Sequence, residues 1–513
     1  MIRLAALAAA SLAAALALLP QTTLAQTPEI PDGPVHATVE SGVLAGFTRG
    51  PAAVFRNVPY AAPPVGPLRW APPERPRPWS GERAAVFPGV SCPQVMNPDG
   101  KPNLGAATGP TSEDCLQLNV FAPKAAQTAS KKAPVMVWLH GGGFNTGASW
   151  LYNGESFARD GVVFVAINYR LGALGFLAHP ALTKAAGPDA PLGDYGLMDQ
   201  IAALQWVKRN IAAFGGDPGN VTLLGESAGA MSTLALLTTP SAKGLFQKAV
   251  VESGGGWFPP TTLAAKEAEG VKLLQPLGVG ADATADQLRA LPAEKLAALQ
   301  AQYMPFVDGR LLKETPTEAF ARGHAMDVPL IIGSNSGEDS LLGPGPLSPE
   351  AVKRVSPAVR AAYPPTDDQT LVRDAFTDGF LGAPARWIAG KESGGKPAWL
   401  YYFSYIGARF RPQMTRAAHA AEIQYVLEYW GRRTPMSTVS DEDRAMAALM
   451  HSCWVAFAKT GTPACGTTPW PAYDPGTDQL MEFGSPTGVR THFRKPQWDA
   501  VEAQAARDMA RGE

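Results

Sequence analysis

The fold is decided by the stretch Val221-Thr-Leu-Leu-Gly-Glu-Ser-Ala-Gly229 and the apolar segment that follows it to Leu237. The first four residues predict a buried strand, and residues 228–237 predict a helix. The G-x-S-x-G motif between them is typical of a sharp strand-to-helix turn that exposes a serine hydroxyl. In that setting Ser227 would lie at the C-terminal edge of a sheet, next to a helix N-terminus that favours negative charge. The alternative is a capping serine in a glycine-rich loop.

Similar apolar runs on both sides of this stretch predict further strands. They lie at residues 35–60 (several short strands), 115–121, 133–139, 162–167, 249–251 and 328–332. Residues 196–214 have the apolar spacing of a helix. Strands that alternate with helices indicate a mostly parallel sheet with helices on both faces. We therefore predict an α/β fold, one domain over residues 26–513, with inserted helical segments at about 260–320 and 340–400.

The composition fits a globular chain and limits the classes of partner. The 513 residues include 46% hydrophobic residues, which excludes disorder, collagen and coiled coil as the main class. Lys+Arg number 44 and Asp+Glu number 45, so the formal net charge is -1. A nearly neutral surface gives no reason to expect nucleic acid or an anionic membrane as partner.

The N-terminus has the three parts of a secretory signal. Arg3 supplies a positive charge, residues 4–19 are Ala and Leu broken only by Ser11, and a small residue follows at Ala25. We expect a signal peptide over residues 1–25, cleaved before Gln26, and a secreted or periplasmic protein. The alternative is a membrane anchor, but the run is short for a helix that must span about 30 Å.

The four cysteines predict two disulfides in an exported chain. Proximity in sequence pairs Cys92 with Cys115 and Cys453 with Cys465. Four reduced, buried thiols are the alternative. The cysteines have no CxxC spacing and no nearby His, so we expect no metal site.

A second glycine-rich motif follows the strand predicted at residues 133–139. It is His140-Gly-Gly-Gly-Phe144, and its glycines would leave backbone N–H groups accessible. Such donors stabilise the oxyanion of acyl transfer, so we expect an oxyanion hole formed by the N–H groups of Gly142, Gly143 and Ala228. A phosphate-binding loop is disfavoured because no Lys-Ser/Thr follows the glycines.

A serine nucleophile needs a base and an acid that orients it. In folds with this elbow the acid and then the histidine follow the serine along the chain. His419 lies in a small-residue stretch suited to a loop and is our candidate base. The other histidines beyond Ser227 are His324, which precedes the best acid candidates, His451, which has a helical packing pattern, and His492, which predicts a surface position. Glu338 and Asp339 follow a buried strand, and spacing alone leaves either as the acid.

Together these residues resemble the type-B carboxylesterase family, the cholinesterase-like branch of the α/β-hydrolases. Further motifs that carry the resemblance over nearly the whole mature chain are residues 55–60, 112–119, 168–172, 214–218 and 307–309. The resemblance implies the α/β-hydrolase fold and selects Glu338 as the acid. It also supports Ser227, His419, the three oxyanion donors and the first disulfide.

The same resemblance assigns supporting roles and exposes departures. Glu226 looks like the family's buried carboxylate at the elbow, and Ser253 looks like a serine that bonds to the acid, although a helix cap is an alternative. Asp339 stands where the family usually has Gly, and Asp194 where it usually has Asn. The second disulfide has no family counterpart that we can match.

These observations predict an exported serine esterase that acts on small carboxylic esters and needs no cofactor. An amidase, a lactonase or an acyltransferase would use the same residues, and a non-catalytic binding protein is a further alternative on this fold. The substrate pocket is expected to include Trp257, Phe258, Trp150 and Phe306. The natural ester and the oligomeric state stay open.

Overall fold

A sheet that crosses the whole molecule positions the predicted motifs. The structure is a computed structural model that describes residues 32–95, 107, 109–392, 394–431 and 434–511, so the expected signal peptide lies outside the described residues. Within that part of the chain the strands are β1 (Gly33–Val39), β2 (Gly42–Arg49), β3 (Ala52–Pro59), β4 (Glu82–Ala84), β5 (Gln117–Pro123), β6 (Ala133–Leu139), β7 (Val163–Ile167), β8 (Gly216–Glu226), β9 (Lys248–Glu252), β10 (Leu330–Asn335), β11 (Ala398–Phe403), β12 (Gln479–Phe483) and β13 (Gly488–Thr491).

The centre of the sheet is parallel and its margins are antiparallel. The strand order is β1-β2-β3-β5-β7-β6-β8-β9-β10-β11-β12-β13, with β4 paired to β2. In this order the neighbours from β7 to β12 pair in parallel, whereas the neighbours from β1 to β7 and the pair of β12 and β13 are antiparallel. Strand β4 pairs with β2 in parallel. The C-terminal ends of β6, β8 and β10 therefore meet at one edge, which is where α/β sheets carry their sites.

Helices cover both faces of this sheet. They are α1 (Glu155–Arg159), α2 (Gly172–Phe176), α3 (Pro180–Ala186), α4 (Tyr195–Asn210), α5 (Ala228–Leu237), α6 (Leu263–Leu274), α7 (Ala285–Arg289), α8 (Ala293–Ala297), α9 (Pro316–Arg322), α10 (Pro349–Lys353), α11 (Pro357–Arg360), α12 (Asp368–Thr377), α13 (Ala383–Glu392), α14 (Ile423–Val426), α15 (Asp441–Thr460) and α16 (Lys495–Arg511). None of the helices in the described residues combines the length and apolar character that a membrane crossing requires.

Two hydrophobic cores lie on opposite faces of the sheet. Leu223 of β8 packs into one core with Trp206 of α4, and its neighbour Leu224 packs into the other core with Trp454 of α15. Successive side chains of a strand point to opposite faces. Because both faces are covered, the central strands are continuous apolar runs rather than alternating ones.

The predicted α/β architecture is confirmed, with local differences. The inserted segments are helical, as α6 to α9 and α10 to α13 show. Strand β8 begins five residues before the apolar run at Val221, and β5 begins at Gln117 rather than at Cys115. Strand β8 starts earlier because its residue Gly216, which precedes the apolar run, already pairs with Ala133 of β6. Strands β4, β11, β12 and β13 were not predicted.

Both predicted disulfides are present. Cys92 bonds to Cys115 at the start of the segment that leads into β5, and Cys453 of α15 bonds to Cys465 in the loop that follows the helix. All four cysteines of the chain are therefore paired.

Reduction should lower the thermal stability of this protein. The bridges join cysteines 23 and 12 residues apart, and a chain-entropy model assigns about 3 kcal/mol to each. We expect the melting temperature, followed by circular dichroism, to fall by several degrees in reductant. The double variant Cys92→Ala/Cys115→Ala keeps only the second bridge. Reductant should therefore lower its melting temperature by less than it lowers that of the wild type. An unchanged melting temperature after verified reduction would contradict a stabilising role.

Candidate functional site

The turn at Ser227 has the strained backbone that its motif predicts. Ser227 has φ 54° and ψ -121°, a region that side chains other than glycine rarely adopt, and it is half-buried. Its N–H donates to the carbonyl of Glu252 at 2.9 Å. A Cβ on Gly225 would overlap the backbone of Gly229, and a Cβ on Gly229 would overlap the carbonyl of Leu139. Both glycines are thus required for the strand and helix to pass closely.

The glycine loop after β6 lies against this turn. A Cβ on Gly141 would overlap the carboxylate of Glu226 and approach the Cβ of Ser227 to 3.0 Å. Gly142 and Gly143 have φ values of 107° and 61°, which favour glycine. The two sequence motifs, which are more than 80 residues apart in the chain, are neighbours in the fold.

His140 at the start of the loop has a packing role. Its ring is buried, stacks on Tyr169 with centroids 4.4 Å apart, and places Nδ1 2.8 Å from the carbonyl of Gly141. The hydroxyl of Tyr169 donates to the carbonyl of His140 at 2.6 Å. Burial lowers the pKa of His140 to about 4, so the ring is neutral at pH 7.

His419 and Glu338 form a close pair beside the elbow. Nδ1 of His419 lies 2.6 Å from Oε2 of Glu338, and its Nε2 lies 3.1 Å from Oε1 of Glu226. The backbone N–H of His419 donates to Oγ of Ser340 at 2.9 Å, which fixes the loop. A carboxylate at Nδ1 holds the imidazole in the tautomer whose Nε2 can accept a proton.

The buried carboxylate of Glu338 is held by two donors. The Ser253 hydroxyl donates to its Oε1 at 2.6 Å, and the N–H of Asn335 donates to the same oxygen at 2.7 Å. The serine that the sequence singled out thus contacts the acid candidate directly.

Asp339 points away from the imidazole. Its carboxylate lies 3.4 Å from Arg373 and 3.7 Å from Arg416, and its N–H donates to Thr377 at 3.1 Å. The two adjacent acids, which spacing left as alternatives, therefore face different partners. The extra charge at this position is matched by arginines.

Three buried carboxylates surround His419 and alter its proton affinity. Burial lowers the pKa of His419, but Glu226 and Glu338 raise it by more, to about 10. Burial raises the pKa of Glu226 to about 7 although His419 lowers it. Burial and the charge of Glu226 raise the pKa of Glu422 to about 8. The imidazole is therefore stabilised as a cation by its surroundings.

Glu422 and Glu252 were not identified from the sequence. Asn335 donates its side-chain amide to Glu422, and Trp454 donates its indole N–H to Glu252 at 2.7 Å. Burial, followed by the charge of Glu422, raises the pKa of Glu252 well above its usual range. Glu422 lies three residues after His419, and this spacing could have indicated that it belongs to the site. Glu252 ends an apolar strand, and nothing in the sequence links it to His419.

The remaining histidine candidates lie elsewhere. Exposed His324 pairs with Glu314 at 2.7 Å, and exposed His492 lies 3.5 Å from Asp478. His451 is buried in α15, as its helical pattern predicts.

The four predicted pocket aromatics occupy different surroundings. Trp257 and Phe258 follow the glycine turn after β9, and the N–H of Phe258 donates to Thr317 at 2.6 Å. Phe306 is buried against Gly193. Trp150 donates its indole N–H to Ser91 at 3.0 Å and lines a small cavity, and that cavity does not include the elbow.

Asp194, where the sequence departs from the resembled pattern, is accommodated inside the protein. Its buried carboxylate accepts from the N–H of Phe306 at 3.3 Å. Burial, with a further contribution from Asp308, raises the pKa of Asp194 well above its usual range. The departure affects packing beneath a loop and leaves the pair of His419 and Glu338 intact.

The chain is similar to known esterases over most of its length. The model of the carboxylesterase family matches residues 34–354 and 350–501. The para-nitrobenzyl esterase of Bacillus subtilis (strain 168) is 36% identical over 484 residues, which are 87% of this chain and 94% of that protein. The fumonisin B1 esterase of Sphingopyxis macrogoltabida is 36% identical over 486 residues, 88% of this chain and 86% of the relative.

Solved structures agree with the sequence relatives. A PNB esterase superposes with a TM-score of 0.79 at 33% identity and covers 91% of this chain and 99% of its own. A carboxylesterase of Geobacillus stearothermophilus superposes with a TM-score of 0.73 at 32% identity, covering 90% and 99%. The fold is therefore that of the α/β-hydrolases, and the chain belongs to the carboxylesterase family and is a carboxylic ester hydrolase.

Proposed function

We propose that this protein is an exported serine esterase with the triad Ser227, His419 and Glu338. The observation that carries the proposal is the contact of 2.6 Å between His419 and buried Glu338, with Nε2 of the histidine directed to the elbow residue Glu226. A carboxylate on Nδ1 leaves Nε2 as the proton acceptor that a weak hydroxyl nucleophile needs, and Ser227 is the next residue after Glu226.

The reaction proceeds in two halves. His419 takes the proton of the Ser227 hydroxyl as Oγ attacks the ester carbonyl, and Glu338 stabilises the imidazolium that forms. The N–H groups of Gly142, Gly143 and Ala228 hold the oxyanion. The imidazolium then protonates the leaving alcohol, and an acyl-enzyme remains. Water, deprotonated by the same imidazole, releases the acid and restores the serine.

The acyl group is proposed to contact Trp257 and Phe258. Both lie after β9, the strand whose last residue accepts the N–H of Ser227. A neutral aromatic lining suits short or aromatic acyl chains. Trp150 and Phe306 remain predicted parts of the wider pocket.

Replacement of Ser227 provides the first test. Ser227→Ala should lower kcat by roughly a million-fold on p-nitrophenyl esters, because the nucleophile is removed and binding is retained. Steady-state rates over a series of increasing acyl length measure this loss and the size of the acyl pocket. The control Ser130→Ala changes an exposed serine and should keep the wild-type rate.

Three outcomes would contradict the assignment. Equal rates in Ser227→Ala and wild type would mean that another group is the nucleophile. A preference for amides over matched esters would favour an amidase. No activity of folded wild type on any ester would favour a narrow specificity outside the proposed class.

The buried carboxylates predict a shift in the pH profile. The base works only when neutral, and Glu226 raises the pKa of His419, so the acidic limb of kcat/KM lies at higher pH than for an isolated histidine. Glu226→Gln removes one of these charges and should move the limb to lower pH by about one unit.

The matched control is Asp339→Asn. It removes a neighbouring carboxylate that faces arginines rather than the imidazole. Its limb should stay within a few tenths of a unit of wild type, measured on p-nitrophenyl acetate. A limb that moves upward in Glu226→Gln would show that Glu226 does not act on His419 in this way.

Export is proposed from the N-terminal pattern and supported by the two disulfides, which persist in oxidising compartments. The mature protein would then be a single domain over residues 26–513. Intact mass and N-terminal sequencing of protein recovered outside the cytoplasm should give Gln26 as the first residue. Recovery there with Met1 retained would contradict cleavage.

A further inference from the structure

A second group of ionisable side chains lies away from the elbow. Asp160 follows α1, Glu428 follows α14, and His451 lies in α15. One ligand atom of each lies within 4.8 Å of the other two. We call these three residues the Asp160 cluster. The three segments are distant in sequence, so spacing gave no indication of them.

The tautomer of His451 leaves one ring nitrogen without a partner. Nδ1 lies 2.7 Å from the carbonyl oxygen of Val426, and a carbonyl only accepts, so Nδ1 carries the hydrogen and donates it. A neutral imidazole then has a lone pair on Nε2. The residue is 1% exposed, and Nε2 has no hydrogen-bond partner among the described residues.

This lone pair faces a second acceptor. Nε2 of His451 lies 3.1 Å from Oδ2 of Asp160. Two acceptors at this distance repel each other unless a proton or a metal cation lies between them. A metal cation satisfies both acceptors and keeps the imidazole neutral.

Arg159 supplies part of the positive charge that the cluster needs. Its Nη2 lies 2.6 Å from Oδ2 of Asp160 and 2.6 Å from Oε2 of Glu428. The guanidinium side chain is 47% exposed, and it donates two hydrogen bonds to Asp160 and a third to Glu428, which a bound metal ion would replace. Its position shows that a cation is stable between these two carboxylates, while the lone pair on Nε2 of His451 still has no donor.

We propose that His451, Asp160 and Glu428 bind one Zn²⁺ ion, with Arg159 displaced toward solvent. One imidazole and two carboxylates form a ligand set that zinc accepts, and a fourth position would hold water. A Ca²⁺ or Mg²⁺ ion prefers oxygen ligands alone. The hydrogen bond from Nδ1 to a backbone carbonyl is the usual outer partner of a metal-binding histidine.

The ion would join three segments of the fold. The cluster unites the residue after α1, the middle of α15 and the second residue after α14. Ser156 of α1 already donates its hydroxyl to the carbonyl of Leu427 at 2.5 Å. Binding therefore stabilises the folded state by mass action, and it does not depend on the proposed esterase reaction.

Cobalt(II) is the probe because tetrahedral Co²⁺ absorbs in the visible range and replaces zinc. Full-length protein without an affinity tag is titrated with CoCl₂, and Zn²⁺ is then added. We expect one saturable absorption band per chain, which Zn²⁺ abolishes, and a rise in melting temperature with Zn²⁺. Arg159→Ala removes the competing cation and should bind about fivefold more tightly.

The variants separate this site from other histidines. His451→Gln should lose the band, whereas His324→Gln, which alters another histidine paired with a carboxylate, should keep it. If His451→Gln fails to fold by circular dichroism, Asp160→Asn at the half-buried position gives the same test. The proposal is overturned if neither wild type nor Arg159→Ala gives a saturable band, or if the band survives in folded His451→Gln or Asp160→Asn. The first result would identify the cluster as an ion pair of protonated His451.

Discussion

The left-handed backbone of Ser227 is the constraint on which the rest of the site depends. A serine with φ 54° persists only where its surroundings hold it. Here β8 ends, α5 begins, and the glycines on both sides allow the helix to lie against the carbonyl end of β6. That close contact brings the glycine loop of β6 to the hydroxyl. One turn therefore positions the proposed nucleophile and the proposed oxyanion donors.

Electrostatics behind this turn depend on burial. Glu226, Glu338 and Glu422 are buried near one imidazole, that of His419, and buried Glu252 feels the charges of Glu422 and Glu226. So many charges cannot be ionised together in a dry interior, and the raised pKa values of Glu252 and Glu422 indicate that protons remain there. Glu338 differs because a hydroxyl and an N–H donate to it. Hydrogen bonding thus fixes the position of the carboxylate that contacts His419.

Local signals in the sequence were sufficient for the elbow, since strand, turn and helix are consecutive there. The choice between Glu338 and Asp339 needed the resemblance, because adjacent residues differ only in the direction that the backbone gives them. Strand β11 was missed because it follows a long helical insertion, and β12 and β13 were missed because Gln479, Glu482 and Arg490 interrupt their apolar residues. Glu252 and the Asp160 cluster could not be found from spacing, because their partners come from distant segments brought together by packing.

The two cores that share strand β8 have a consequence for how this enzyme tolerates change. Leu223 and Leu224 are consecutive, yet each belongs to a different core, and Ser227 lies three residues beyond Leu224. A cavity opened on either side of the sheet would relax the same strand. Substitutions in this strand are therefore limited by both cores. A second substitution that restores packing on one face of the sheet must leave the packing on the other face unchanged.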